Sequence, residues 1–237
     1  IETGHVTGKS GTQNIFGEEQ LKLDVASNDL LVERFKNCLC VGLIASEELD
    51  EAIVCSAEMI SEGAPKNILE EKYSVAFDPL DGSSLVDVNF AVGSIFGIYK
   101  GNGFIGRKPS EQVAAAIAVY GPRTVLFCSV GQGVHEYTLR QNDFFLTQEN
   151  VRVAEEGAYF APGNLRACAK SPAYKKMLDY WLEQQYTLRY SGGMVPDIAH
   201  ILKKGKGIFV YPGYEDAPRG KLRLLFECGP MAFLMEQ

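Results

Sequence analysis

The segment "YSVAFDPLDGSS" (73–84) constrains the fold of this chain more than any other stretch. A short apolar run ends at Asp78 and Asp81, and a Gly-Ser-Ser sequence follows directly. Such a run is typical of a buried strand, and the loops at strand ends are where binding sites are built. Two aspartates around a proline predict either a tight turn or a cation site, and their spacing alone leaves both interpretations open.

Other predicted elements also carry an acid at or near their ends. These acids are Asp24 in "LKLDVA", Glu47 and Glu48 after "GLIAS", and Glu227 in "KLRLLFE", whereas Asp29 in the next helix pattern is interpreted from its position alone as a helix cap. Carboxylates that converge raise one another's pKa values and repel unless a cation neutralises them. Oxygen ligands suit Mg²⁺ and, as an alternative, Mn²⁺. The sequence therefore predicts a phosphoryl site with two or three metal ions.

The residues that follow Asp81 suit an anion. Gly82, Ser83 and Ser84 offer backbone N–H groups and hydroxyls at the predicted start of a helical turn, where phosphates bind well. The backbone carbonyl of Leu80 is a candidate metal ligand between the two aspartates. A second glycine motif, "GNGFIG" (101–106), is followed by Arg-Lys-Pro rather than by a helix, so it predicts a loop and not a dinucleotide site.

Short β-like runs alternate with helix-like segments, which predicts a layered fold of the α+β or α/β class. Turn residues and helix-capping residues set the expected bounds. We predict strands at 21–26, 40–48, 73–78, 90–99, 207–213 and 221–227, a hairpin at 124–139, and helices at 27–37, 110–121, 172–185 and 196–204.

Composition excludes several classes of protein. The net charge of −7 argues against nucleic acid as a partner. We find no apolar stretch long enough to span a membrane and no targeting segment, only a polar lead-in. Six cysteines without a CxxC pair disfavour zinc and indicate a reducing compartment, the cytoplasm or a plastid stroma. Cys38 and Cys40 are interpreted as buried apolar thiols.

Six blocks of sequence, in order from about Leu21 to the last residue, resemble the fructose-1,6-bisphosphatase family of metal-dependent, lithium-sensitive phosphatases. They are "LDVASNDLL", "ASEE", "VAFDPLDGSS", "RYSGGMVPD", "IFVYPG" and "GKLRLLFECGPMAFLMEQ". Within the family, "EQVAAAIAVYGPRT", "FAPGNLRAC" and "TLRYSGGMVPD" resemble the sedoheptulose-1,7-bisphosphatase branch.

The resemblance implies alternating helix and sheet layers in the order αβαβα. It implies a metal domain at 1–156 and a substrate domain at 157–237 that is cut short, because relatives continue beyond this point. The implied reaction is Mg²⁺-dependent hydrolysis of the 1-phosphate of sedoheptulose 1,7-bisphosphate, in the Calvin cycle or the pentose phosphate reactions. Fructose 1,6-bisphosphate is the alternative substrate, and a non-catalytic metal- or phosphate-binding module is a rival. A homo-oligomer, dimer or tetramer, is also implied.

The resemblance also assigns roles to individual residues. The implied metal ligands are Glu47, Glu48, Asp78, the Leu80 carbonyl, Asp81 and Glu227. Asp24, Asp29 and Glu48 are implied to position or deprotonate the attacking water. The implied substrate contacts are Gly82, Ser83 and Ser84 at the cleaved phosphate, Asn164, Tyr190, Tyr211, Lys221 and Arg223 around the sugar and its distal phosphate, and Arg189 reaching towards a neighbouring subunit. The tyrosines could instead be core aromatics, and Lys221 and Arg223 simple solvated charges.

Overall fold

The computed structural model describes residues 8–14, 17, 19–55, 72–215 and 217–237. Its helices and strands occur in mixed order along the chain. The helices are α1 (Lys22–Lys36), α2 (Pro172–Glu183), α3 (Met194–Lys204) and α4 (Gly229–Glu236). The strands are β1 (Lys9–Gln13), β2 (Glu19–Leu21), β3 (Val41–Ser46), β4 (Ile53–Val54), β5 (Tyr73–Asp81), β6 (Val92–Lys100), β7 (Gln112–Tyr120), β8 (Thr124–Ser129), β9 (Val134–Arg140), β10 (Asp143–Val151), β11 (Tyr159–Pro162), β12 (Thr187–Leu188) and β13 (Ile208–Val210).

The main sheet has eight strands in the order β10-β9-β8-β7-β6-β5-β3-β4. The β3–β5 pair is parallel, and all its other neighbours are antiparallel. Strand β5 is buried along nearly its whole length between β3 and β6. A strand that is covered on both faces reads as a continuous apolar run, which explains why "YSVAF" does not alternate.

Helices pack on both faces of this sheet. On one face, Phe35 of α1 packs against Phe77 of β5, with ring centroids 5.4 Å apart and the ring planes tilted by 42°. On the other face, the apolar side of α3, including Val195 and Ile198, packs with Ile95 and with α4. The approach of α3 is close, because a Cβ on Gly93 would lie 2.3 Å from a Val195 methyl group. A glycine is therefore required in β6 at this point.

A second sheet of three parallel strands has the order β12-β11-β13. Helix α2 covers it, with Trp181 against Phe160 at a centroid distance of 5.5 Å. Ser171 caps this helix by accepting the N–H of Tyr174, and Pro172 is its first residue, as predicted. The layered α/β arrangement predicted from the sequence is confirmed in these two sheets and their helices, and the domain boundary after residue 156 stays a prediction.

Three predicted elements are wrong. Residues 21–26 are not a strand, because α1 begins at Lys22, earlier than the predicted helix at 27–37. The predicted helix at 110–121 is β7, which pairs with both β6 and β8. The predicted strand at 221–227 is a π-helical turn, Leu224–Cys228, that leads into α4. In each case long-range packing overrides a local pattern that fits both states.

The other predicted elements are confirmed within a few residues. The hairpin at 124–139 is formed by β8 and β9, and Gly131 and Gly133 take positive φ values in its turn. Residues 101–106 lie outside helices and strands, as the loop interpretation of "GNGFIG" requires. Among the described helices, none is both long and apolar enough to cross a membrane.

Candidate active site

A cavity of about 280 Å³ lies where β3 and β5 end. Segments that are distant in sequence form its walls: the β1–β2 hairpin, the ends of β3 and β5, the start of α3, and residues 221–227. Fourteen of the residues singled out in the sequence line it: Asp24, Glu47, Glu48, Asp78, Leu80, Asp81, Gly82, Ser83, Ser84, Tyr190, Tyr211, Lys221, Arg223 and Glu227.

The parallel register of β3 and β5 brings acids from different segments side by side. Ser46 lies opposite Phe77, and the N–H of Glu47 donates to the Phe77 carbonyl at 3.1 Å. Glu47 therefore emerges next to Asp78. One carboxylate oxygen from each of Asp78, Asp81 and Glu227 lies within 4.8 Å of the other two, and all three side chains are buried. This spacing suits a shared cation.

Burial changes the protonation of these acids. It raises the pKa of Glu47 to about 7, with a hydrogen bond to Asp78 opposing the shift. It also raises the pKa of Asp81 to about 7, against the effect of the Val195 N–H, which donates to Asp81 Oδ2 at 2.7 Å. The pKa of Asp78 lies well above its ordinary value because of burial and the neighbouring Glu47. A bound dication would remove this penalty by stabilising the charged forms.

The donor set fits a hard dication. In the cluster of Asp78, Asp81 and Glu227 the donors are carboxylate oxygens, which Mg²⁺ and Mn²⁺ prefer. Glu47 Oε2 is buried and has no hydrogen-bond partner within the part of the chain that the structure describes. A buried carboxylate oxygen left in this way is costly unless something further binds it. The residues present are therefore suited to hold metal ions.

Arg223 partly balances the acids from the opposite side. Its guanidinium lies 3.0 Å from Glu47 Oε1 and 3.7 Å from Glu227 Oε2, and its side chain is only 12% exposed. The π-helical turn makes this possible, because Glu227 folds back so that its carboxylate also accepts the Arg223 N–H. The sequence suggested a phosphate contact for Arg223. In the structure, its guanidinium instead lies beside the carboxylates of Glu47 and Glu227. Its phosphate role stays a prediction.

The Gly-Ser-Ser segment forms a tight turn beside the acids. Gly82 takes a left-handed conformation with φ of 77°, and a short 3₁₀ turn, Ser83–Leu85, begins directly after it. A Cβ on Gly82 would lie 3.4 Å from the Gly193 Cα, so this turn packs closely on the segment before α3. Ser83 and Ser84 consequently face the same cavity as Asp78 and Asp81.

Three predicted site residues lie outside this cavity. Asp29 is exposed on α1. Asn164 has φ of 52°, and its side-chain amide donates to the Pro212 carbonyl at 3.0 Å, next to Tyr211 rather than in the cavity. Arg189 is exposed, with its guanidinium 5.9 Å from the centroid of the Tyr159 ring. Their predicted roles stay predictions, since none of the three lines the cavity.

Sequence reasoning missed several lining or supporting residues. Asn14, Glu19 and Gln20 of the β1–β2 hairpin line the cavity, and the Gln20 amide donates to the Glu48 carboxylate. Asp197 is buried within the first turn of α3 and accepts the Ser191 N–H at 2.8 Å. A signal for Asp197 was available in "SGGMVPD", because acids are favoured in the first turn of a helix and the sequence places Asp197 directly after the predicted helix start.

Buried acids that face a serine-bearing turn in a layered α/β fold are the arrangement expected of a metal-dependent phosphomonoesterase. Two family models match this chain along nearly its whole length. "Fructose-1-6-bisphosphatase, N-terminal domain" matches residues 2–149, and "Fructose-1-6-bisphosphatase, C-terminal domain" matches residues 153–237. The chain belongs to the fructose-1,6-bisphosphatase family and is accordingly a phosphoric monoester hydrolase.

Individual relatives agree with this assignment. The fructose-1,6-bisphosphatase class 1 of Citrifermentans bemidjiense is 48% identical over 237 residues, which are 100% of this chain and 69% of that protein. The chloroplastic sedoheptulose-1,7-bisphosphatase of Triticum aestivum is 41% identical over 97% of this chain and 56% of that protein. The fructose-1,6-bisphosphatase of Leishmania major in its holo form has a TM-score of 0.86 at 33% identity, covering 98% of this chain and 73% of that chain.

Proposed function

We propose that this chain hydrolyses the 1-phosphate of a ketose bisphosphate with the help of two or three Mg²⁺ ions, for which Mn²⁺ could substitute. One observation carries the proposal: the buried acids and the Gly82–Ser84 turn line the same cavity. A phosphomonoester bound there would have cation ligands on one side and hydroxyl and N–H donors on the other. Such positioning and charge neutralisation supply most of the catalysis in phosphoryl transfer.

The proposed metal ligands are the carboxylates that converge at the strand ends, together with one carbonyl. They are Glu47, Glu48, Asp78, the Leu80 carbonyl, Asp81 and Glu227. When bound, such ions lower the pKa of water and neutralise phosphoryl oxygens. The protein contributes rigidity, because Asp78 Oδ1 accepts the Leu80 N–H at 2.9 Å and the Val195 N–H fixes Asp81.

Asp24, and Glu48 in addition to its role as a proposed metal ligand, are positioned to handle the proton of the attacking water. Asp24 lies in the first turn of α1, where its Oδ2 accepts the Leu21 N–H at 2.7 Å, and it faces the cavity. Glu48 follows β3 and faces the same space. Asp29 is exposed on α1, so we assign the proton-accepting role to Asp24 and Glu48 and leave Asp29 without a direct contact.

The remaining lining residues are suited to the sugar and its distal phosphate. Tyr190, Tyr211 and Lys221 line the cavity, and Tyr190 and Lys221 are exposed while Tyr211 is partly exposed. A lysine ammonium and phenol hydroxyls are suitable donors for a phosphate and for sugar hydroxyls. Asn164 acts indirectly in this proposal, since its bond to the Pro212 carbonyl supports the strand end that carries Tyr211.

For the sugar itself we propose sedoheptulose 1,7-bisphosphate, which would give sedoheptulose 7-phosphate and phosphate. The support is the likeness of "TLRYSGGMVPD" and two other stretches to that branch and the 41% identity to the wheat enzyme. Fructose 1,6-bisphosphate is the second candidate, favoured by the 48% identity to a bacterial fructose-1,6-bisphosphatase.

Phosphate release from both sugars, with and without Mg²⁺, tests the proposal. We expect Mg²⁺-dependent release, with a higher kcat/KM for the seven-carbon substrate. Equal values would make the enzyme dual-specific, and a higher value for the six-carbon substrate would contradict the finer assignment alone. If neither sugar is hydrolysed by a folded, Mg²⁺-loaded chain, the reaction itself is contradicted.

We also propose that the chain works as a homo-oligomer. Arg189 is exposed outside its own cavity, as expected for a side chain that completes the site of a neighbouring subunit. Mixing an Arg189→Ala chain with a chain inactivated at Asp81 tests this, because shared sites would restore activity in the mixture. A monomer by analytical ultracentrifugation at assay concentration would contradict the proposal.

A further inference from the structure

Two thiols lie at the opposite end of the strands that carry the acids. Cys38 and Cys40 come between α1 and β3, and their sulfur atoms are 3.3 Å apart. Both thiols are free and partly exposed, and neither lines the active-site cavity. The phosphatase reaction proposed above makes no use of them.

The backbone holds the two thiols together. The N–H of Val41 donates to the Cys38 carbonyl at 3.0 Å, which closes a tight turn over residues 38–41. The Lys72 ammonium donates to the Leu39 carbonyl at 2.9 Å, and the Tyr73 N–H donates to the Cys40 carbonyl at 2.8 Å. A disulfide has its sulfur atoms about 2 Å apart, so a side-chain rotation that closes roughly 1 Å would join this pair.

The surroundings affect how readily the thiols ionise. Burial is the main cause that raises the pKa of Cys40, the hydrogen bond to Cys38 adds to it, and the Lys72 ammonium opposes it. The third nearby thiol, Cys55, follows β4 and packs in the same apolar cluster. The three sulfur atoms do not form a compact ligand set within the described residues, so the arrangement fits a dithiol pair better than a metal site.

We propose that Cys38 and Cys40 are a reversible redox pair that reacts with small disulfides such as oxidised glutathione. One protein thiolate attacks the small disulfide, a mixed disulfide forms, and one glutathione thiolate leaves. The second protein thiolate then attacks the protein sulfur of the mixed disulfide, closes the Cys38–Cys40 bond and releases the other glutathione thiolate. The protein loses two protons and two electrons, and the small disulfide accepts the electrons.

Reversibility follows from the exposure of the pair. Both thiols are partly exposed, and exposed disulfides have more oxidising potentials and are reduced more readily than buried ones. Excess reduced glutathione should therefore reopen the bond. The pair lies where β3 and β5 begin, and the same strands carry Glu47 and Asp78 at their other ends.

The test is a thiol count on the folded chain after incubation with oxidised glutathione. Because one tryptic fragment carries all three thiols, the count is made in a Cys55→Ser variant. We expect both remaining thiols of this fragment to become resistant to alkylation, the fragment to be lighter by two hydrogen atoms, and no glutathione to stay attached. Reduced glutathione should restore both thiols.

Matched variants make the outcome decisive. Cys38→Ser and Cys40→Ser chains should stop at a stable glutathione adduct, because the second thiol is missing. A lasting adduct in the Cys55→Ser chain, or unchanged alkylation of both thiols, would overturn the proposal. Closure in the Cys40→Ser chain would assign the bond to Cys38 and Cys55 instead. If serine at position 55 prevents folding, Cys55→Ala replaces it, with phosphate release as the check on folding.

Discussion

The two walls of the cavity are built in opposite ways. The acid wall, formed by Glu47, Asp78, Asp81 and Glu227, stands on strand ends and a helical turn, and each of its side chains is at most 7% exposed. The open wall is formed by Tyr190, Tyr211 and Lys221, which lie in loops. The side chain of Tyr190, for example, is 44% exposed. Burial restrains the side chains of the acid wall and raises the pKa values of Glu47 and Asp81. The side chains of the open wall are in contact with solvent. Substitutions in the acid wall should therefore affect chemistry, and those in the open wall mainly binding.

The largest effect is expected at the centre of the acid wall. Asp81→Asn keeps the shape of the side chain and an acceptor for the Val195 N–H but removes one negative charge from the metal site. We expect kcat/KM to fall by about 10³-fold, as for the loss of a group that stabilises charge in the transition state. Steady-state phosphate release measures this.

The matched control is Asp87→Asn, an exposed acid close in sequence. It should keep normal activity. If the Asp81 variant retained more than half of the activity with unchanged Mg²⁺ dependence, the acid wall would not be the metal site.

The open wall should respond differently. Lys221→Met removes an exposed ammonium that faces the cavity and keeps much of its apolar stem. We expect KM to rise by about 10- to 100-fold with a smaller change in kcat, because a charge-assisted hydrogen bond contributes about 1.5–3 kcal/mol. Separate fits of kcat and KM measure the split.

Lys206→Met, another exposed lysine, is the comparison and should behave as the parent. A fall in kcat at unchanged KM would place Lys221 in the chemical step and remove the distinction between the two walls.

A smaller effect is expected at Asp197, which does not line the cavity. It accepts the Ser191 N–H and so holds the loop between Tyr190 and α3. Burial raises its pKa, and the Ser191 N–H opposes that shift. Asp197→Asn keeps one acceptor for the Ser191 N–H but loses the charge. We expect a fall of about 10-fold in activity, in the lower part of the range for residues that orient metal ligands or active-site groups.

Mg²⁺ titration of activity distinguishes positioning from general destabilisation. A variant with the same fraction of activity at every Mg²⁺ concentration and a lowered melting temperature would indicate a purely structural role. Asp179→Asn, at a partly exposed residue of α2 that pairs with Lys175 outside the cavity, serves as the control.

The smallest effect concerns stability and its pH dependence. The folded chain holds protons on Glu47 and Asp81 with pKa values of about 7, whereas unfolded carboxyls titrate near pH 4. Their contribution to stability is therefore complete below about pH 4 and is lost as the pH rises through about 7. Bound Mg²⁺ offsets this loss, so it should raise the melting temperature more at pH 8 than at pH 5.5, by about 5 °C.

Thermal scans with Mg²⁺ or with a chelator at both pH values measure the difference. Asp81→Asn should reduce it, and Asp87→Asn should not. A larger Mg²⁺ effect at the lower pH would contradict the sign of the linkage.

The sequence pointed to many of the lining residues because their chemistry is local and unusual. Acids after apolar runs, and Gly-Ser-Ser after Asp81, indicate a binding site at the strand ends, whatever the order of the strands in the sheet. Prediction from the sequence failed where the role of a residue depends on a partner that is distant in the chain. Nothing near Arg223 in the chain indicates an ion pair with Glu47, and nothing near residues 14–20 indicates that a polar hairpin lines the cavity.

The same division applies to the fold. The hairpin at β8–β9 and the start of α2 were predictable, since their turn glycines and their serine cap act within a few residues. Strand β7 was not, because "EQVAAAIAVYG" fits a helix until β6 and β8 offer it partners on both sides.

By itself, the sequence determined which side chains were available: a set of acids, an anion-binding turn and a group of polar side chains suited to a sugar phosphate. Only the tertiary structure decided that the acids meet, because the β3–β5 register and the π-helical turn at Glu227 arise from pairing and packing between segments far apart in the chain. Hydrogen bonding within a turn needs neighbours in sequence, whereas the convergence of buried charge needs neighbours in space.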